Sequence, residues 1–165
     1  RRDLQASVHP TAISHGWSPD AGARFRAEFD WTGTADPTPF LAIPAAIAFL
    51  GSLLPGGWSE VMARNRTLAL EARRILLEAL GGSPAAPASM VGSIASVPLP
   101  APAPGSPAAT LGHEGLMNWI RERGVEPWLY PWPCAGGMLV RVSAQLYNSR
   151  EEYVRLAALL REALG

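Results

Sequence analysis

The sequence predicts a mixed α/β chain: a small α+β domain over residues 57–165, preceded by a strand, loop and helix over residues 1–56 that belong to a different body. Two observations predict it. From Trp58 onward the hydrophobic pattern runs helix, strand, helix, strand, strand, helix, an order that packs helices on one face of a sheet. Before that point, one strand, one loop and one apolar helix are too few to enclose a core of their own.

Residues 8–14 read as a short strand or extended connector, and residues 16–36 as an irregular loop that mixes Gly, Asp, Pro and aromatics without either period. Pro37 and Pro39 fit a first helical turn with Asp36 as its cap, and residues 40–54 read as a mostly buried helix ended by Pro55, Gly56 and Gly57. Residues 58–80 carry Val61, Met62, Leu68, Ala72, Ile75, Leu76 and Leu80 at helical spacing and are closed by Gly81 and Gly82. A strand is expected over residues 90–99, a Pro/Ala-rich surface connection over 98–107 and a short helix over 113–124. Residues 127–132 and 138–147 read as two strands joined by Ala135, Gly136 and Gly137. The last helix starts at a capping box, Ser149 with Glu152, and turns Tyr153, Leu156, Ala157, Leu160 and Leu164 to one side, with Glu151 able to pair with Arg155. No internal repeat is evident.

The formal charge is zero and the basic residues are scattered, so no nucleic-acid stripe and no patch for an anionic membrane is expected. All 14 basic residues are arginines; the chain has no lysine. A single cysteine, Cys134, excludes an internal disulfide and fits a reducing compartment. The longest apolar run, residues 41–54, is broken by Pro44 and Gly51 and is too short to span a bilayer. A cytoplasmic location is the expectation. The chain opens at Arg1, without an initiator Met and inside an extended stretch, which predicts a piece cut from something longer.

Two places could carry chemistry. Strand alternation over residues 139–146 sets Arg141, Ser143 and Gln145 on one face and Val140, Val142, Ala144 and Leu146 on the other. A guanidinium there can grip a carboxylate through two parallel hydrogen bonds, or it can pair with a local Glu or simply face solvent. The stretch Trp31-Thr32-Gly33-Thr34, just ahead of a helix, offers a glycine that lets backbone N–H groups approach an anion and a threonine hydroxyl as a further donor. The same turn can also only cap a helix. His9, His15 and His113 are too dispersed for a metal site and read as surface or hydrogen-bonded structural histidines. Ser14, Ser59 and Ser143 lack the context of a nucleophile elbow.

Three longer segments extend this picture. They are residues 13–17 (Ile-Ser-His-Gly-Trp), residues 24–36, from Arg24-Phe25-Arg26 through Trp31-Thr32-Gly33-Thr34-Ala35-Asp36, and residues 139–148, ending Ser143-Ala144-Gln145-Leu146-Tyr147-Asn148. Together with Leu41-Ala42-Ile43-Pro44-Ala45-Ala46, they make the chain similar to the C-terminal portion of isopenicillin N epimerase-like proteins, within the class V aminotransferase and cysteine desulfurase superfamily. The resemblance implies pyridoxal 5'-phosphate (PLP) as cofactor and a fold type I architecture, with residues 1–56 the end of the large PLP-binding domain and residues 57–165 the small C-terminal domain. It implies a homodimer with an amino-acid substrate, in which Gly33 and Thr34 reach the PLP phosphate of the other subunit and Arg141 holds the substrate α-carboxylate. The lysine that links PLP covalently in such enzymes has no counterpart here, so no catalytic residue is assigned and the chain alone is expected to be inactive. Cys134 stands near the loop that carries the catalytic cysteine of desulfurases, but its Trp132-Pro133-Cys134-Ala135 setting has no activating group. A desulfurase or C–S lyase within the superfamily, and a truncated, non-catalytic dimerisation module, are the competing readings.

Overall fold

The computed structural model describes residues 1–12, 24–30, 33, 35–131 and 137–165. Its helices are α1 (Arg24–Asp30), α2 (Thr38–Leu41), α3 (Ile43–Ser52), α4 (Gly57–Leu80), α5 (Pro107–Arg121) and α6 (Arg150–Leu164). Its strands are β1 (Ile94–Leu99), β2 (Trp128–Pro131) and β3 (Met138–Ser143). The chain separates into two units, Arg1–Ala48 and Phe49–Gly165, each described by itself below.

The second unit is built on α4, whose apolar stripe buries Val61, Ala69, Ala72, Ile75 and Leu76. The three strands form an antiparallel sheet in the order β1-β3-β2, with Val97 opposite Val140 and Trp128 opposite Arg141. Alternation divides its faces. Ala95, Val97, Leu99, Leu129, Val140 and Val142 point into the core with α4, α5 and α6, and Ser96, Trp128, Tyr130 and Arg141 point away from it. The α6 helix contributes Tyr153, Leu156, Ala157, Leu160 and Leu164, the expected stripe, together with Ala163. At its start the Glu152 carboxylate accepts the Ser149 backbone N–H at 3.4 Å, the reach-back of the expected capping box. Mixed helices on a small antiparallel sheet agree with the α/β class drawn from the sequence.

Several boundaries differ from the expectation, each for a local reason. The helix expected from residue 113 begins at Pro107, capped by the Ser106 hydroxyl, which accepts the Ala109 N–H at 3.3 Å. Its backbone breaks at Gly112 (φ 65°, ψ −168°), so the pattern starting at His113 is the half beyond the break. β1 starts at Ile94 because residues 88–90 turn as a single 3-10 segment held by Arg66, whose guanidinium donates to the Ala88 and Val91 carbonyls at 2.9 and 3.0 Å. β3 stops at Ser143, where Gln145 N–H turns to the Asn148 side chain at 3.0 Å and Asn148 N–H to the Gln145 carbonyl at 2.9 Å. Met62, expected on the apolar stripe of α4, is 59 % exposed, and the buried Asn65 takes part in its place. Arg155 donates to the Arg123 carbonyl at 2.5 Å rather than pairing with Glu151.

The first unit departs further. Residues 8–12 form no strand, and the expected irregular loop contains α1. Arg24 anchors it: the guanidinium donates to Glu28 at 2.6 Å and to the carbonyls of Gln5, Ala6 and Val8 at 2.7, 3.0 and 3.3 Å, and meets His9 Nδ1 at 2.8 Å. Phe25 and Phe29, also one turn apart, lie with ring centroids 4.6 Å apart. The expected single buried helix over 40–54 is two helices, α2 and α3, neither of which buries a residue. Asp36 lies one residue before the N-cap of the first of them, Pro37, and accepts the Thr38 N–H at 2.9 Å; hydrogen bonding from the Thr38 side chain, then from its backbone N–H, holds the Asp36 carboxyl below the usual range. Among the described residues no single helix is long and apolar enough to cross a membrane.

Candidate carboxylate-binding site

The face of the sheet turned away from the α4–α6 core, which buries Leu139 but leaves Arg141 exposed, positions the site. Arg141 occupies the middle strand, with Ser96 beside it on β1 and Trp128 beside it on β2. Its neighbours Val140 and Val142 are 0 % and 4 % exposed and anchor the strand from the core side, so the backbone under Arg141 is fixed while its side chain is exposed. Among the described residues the Arg141 side chain forms no ion pair and no hydrogen bond. Its recorded contact is with the Trp128 indole, the guanidinium carbon lying 5.6 Å from the ring centroid. Of the alternatives open to this arginine, the local Glu pair is therefore not formed, and the donors face outward.

They face a cavity of about 520 Å³ between the edge of β2, the end of β3 and the start of α6, with Arg141, Trp128, Tyr147, Glu152 and Arg155 in its lining. Glu152 is occupied there by Ser149 and by the Asn148 amide, which donates to it at 2.9 Å. Glu126, also in the lining, lies 3.7 Å from Arg121. Tyr153 closes the floor: its hydroxyl donates to the Ser143 carbonyl at 2.7 Å, and burial first, then the Glu152 and Tyr147 charges, push its pKa up to about 12. It is a neutral donor at ordinary pH, not a base. The Gln145 side chain turns away from Arg141 and accepts from Asn65 at 2.9 Å and from the Leu146 N–H at 2.8 Å, tying the turn after β3 to α4.

The sequence reading placed Arg141 and Ser143 on one face, and both are exposed there. It missed Trp128, Glu152 and Arg155 as cavity residues; for Trp128 the signal was antiparallel pairing of two strands already expected, which sets it opposite Arg141. Gly33 has φ 110°, a left-handed conformation that favours glycine, and among the described residues nothing stands within 4 Å of where a Cβ would be. Thr34 lies outside the described residues, as do Trp17, Trp31, His15 and Cys134. The other two histidines are hydrogen-bonded, as expected: His9 in the Arg24 cluster, and His113 through Nε2 to the Leu129 carbonyl at 2.7 Å.

No family model matches the chain. Its similarities are to enzymes of the kind the sequence motifs pointed to and support the class V aminotransferase-type superfamily. The chain is 33 % identical over 172 residues to isopenicillin N epimerase of Streptomyces clavuligerus, a match covering 96 % of the chain and 40 % of that protein. It is 34 % identical over 173 residues to isopenicillin N epimerase of Amycolatopsis lactamdurans, covering 97 % and 40 %. A probable chloroplastic L-cysteine desulfhydrase of Arabidopsis thaliana is 27 % identical over 158 residues, covering 92 % and 32 %. The chain thus spans two fifths or less of the length of these relatives.

Proposed function

We propose that the chain is the C-terminal part of a PLP-dependent enzyme acting on an amino acid, in which Arg141 holds the substrate α-carboxylate and Gly33 and Thr34 contact the cofactor phosphate. In this reading residues 1–56 complete the large domain, residues 57–165 form the small domain, and two copies assemble as a cytoplasmic homodimer. The observation that carries it is the exposed Arg141 side chain, without an anionic partner among the described residues and lining a cavity, in a chain similar to two isopenicillin N epimerases. An arginine in that state has its planar donor fork free for a carboxylate.

The residues fit part of the cofactor. A left-handed glycine at position 33, with no Cβ in the way, suits the approach of a phosphate oxygen, whereas a covalent anchor must come from outside these 165 residues, which contain no lysine. PLP, when bound, supplies the electron sink that labilises a bond at the substrate α-carbon. The chain's own contribution is orientation: fixing the carboxylate determines which α-carbon bond is presented for cleavage. Epimerisation, transamination, β-elimination and carbon–sulfur cleavage share that first requirement, and an epimerase or a C–S lyase is the choice that the names of the relatives favour.

The test is Arg141→Ala in the whole protein. Substrate binding should weaken by about ten- to a hundredfold, the loss of a charge-assisted bidentate contact, while the visible absorbance of bound PLP is unchanged. Equal substrate affinity in variant and parent refutes the assignment. A non-catalytic dimerisation module is favoured by one observation, the exposure of Phe40, Leu41 and Phe49 at 73 %, 73 % and 63 %. That reading requires Arg141→Ala to change neither cofactor nor substrate binding.

A further inference from the structure

We infer that Trp128 is a positioning residue for Arg141: its indole restrains the guanidinium over the cavity and so raises the affinity of the site for a carboxylate. The inference rests on the carboxylate reading of Arg141. The two residues are direct cross-strand partners in β2 and β3, which fixes their separation through the sheet. The guanidinium carbon lies 5.6 Å from the indole centroid, within the range of a cation–π attraction. Trp128 is 54 % exposed on the same face as Arg141, while the core position of the same strand is filled by Leu129 at 1 %, so the indole is not a core residue of the domain.

Nothing else described holds Arg141. Its other cross-strand neighbour, Ser96, is bonded to the Tyr130 hydroxyl at 2.9 Å. Glu152 is taken by Ser149 and Asn148, and Glu126 faces Arg121. A ring contact differs from an ion pair in what it leaves free: it restrains the side chain without using an N–H donor or neutralising the charge. A long arginine side chain held in place loses less freedom when it binds. A carboxylate then meets the whole fork already directed at the cavity.

The experiment is nuclear magnetic resonance of the Arg141 side chain in residues 1–165, with acetate as the probe, in the parent and in Trp128→Phe, Trp128→Leu and Trp128→Ala. Arg141→Lys assigns the signal. In the acetate-free parent the Arg141 Cδ protons should be shifted upfield by the ring, and they should stay shifted with Phe and lose the shift with Leu and Ala. The apparent acetate dissociation constant should rise about two- to fivefold with Leu and Ala and be largely restored with Phe. A purely structural role predicts instead that Leu, which keeps the apolar bulk, behaves like Phe, and that result overturns the inference. An unshifted parent signal refutes the contact itself. A lost shift with unchanged acetate affinity overturns positioning and leaves the role of Arg141 standing. If acetate leaves the parent Arg141 signal unmoved, the carboxylate reading fails, and the inference with it. Should the Ala variant not fold, the comparison of Leu with Phe decides alone.

Discussion

The two units of the chain are held by opposite means. In the described part of Arg1–Ala48 the buried residue is Glu28, a carboxylate whose side chain is 2 % exposed and clamped by Arg24. In Phe49–Gly165 a continuous apolar core runs from Ala69 to Leu164. Yet the first unit is not poor in apolar residues: Phe40, Leu41, Ile43 and Ile47 are half or more exposed. Apolar content does not make a core unless secondary structure turns it towards a partner surface, and here the polar clamp does locally what packing does elsewhere.

The largest effect that can break this contrast comes from the clamp. Arg24→Ala strands Glu28 in a buried place and should cost the first unit about 3–5 kcal/mol, the usual penalty for removing one member of a buried pair. Protection from amide exchange should then be lost from α1 while persisting in α4 and α6; uniform loss of protection would mean that the units are not independent. Next in size is Leu160→Ala, at a position 0 % exposed, expected to destabilise the second unit by about 2–5 kcal/mol in denaturant unfolding. A smaller effect is expected of Tyr153→Phe, which deletes the 2.7 Å bond to Ser143 and should cost about 1 kcal/mol at neutral pH.

The same tyrosine sets an alkaline limit. Because its folded pKa is raised to about 12 from 10.0, its contribution is fully present below pH 10 and disappears as pH rises through about 12. Unfolding free energy measured against pH should fall across that window and fall less in Tyr153→Phe; a parent curve flat over the window contradicts the burial argument. The smallest change is expected where apolar residues are exposed. Phe40→Ser with Leu41→Ser should alter unfolding stability by less than about 0.5 kcal/mol while lowering the fluorescence of a bound hydrophobic dye. A large loss of stability would show that this face is packed in solution.

The second unit was legible in the sequence because its elements obey one period each. The capping box at Ser149, the stripe of α6 and the alternation around Arg141 all survive in the structure, since each rests on local geometry plus one buried face. What was not legible lay between residues or outside the periods. The α1 helix was read as loop because its signals, Arg24 with Glu28 and Phe25 with Phe29, are paired side chains one turn apart rather than an apolar stripe. The start of α5 was hidden by Gly112, and the exposure of α2 and α3 cannot be told from burial by composition, since both read as apolar helix. For the site, the alternation gave Arg141 its direction, but the indole beside it required the strand register.

If Arg141 supplies the carboxylate contact of a PLP enzyme, the contact should be transferable with the chain. It is tested most directly by grafting residues 1–165 in place of the matching segment of the Streptomyces clavuligerus isopenicillin N epimerase. The chimera should retain PLP absorbance and bind its substrate, and its Arg141→Ala version should retain the absorbance but lose substrate binding by about ten- to a hundredfold. A chimera that keeps PLP and binds substrate equally well with and without Arg141 would contradict that role for Arg141.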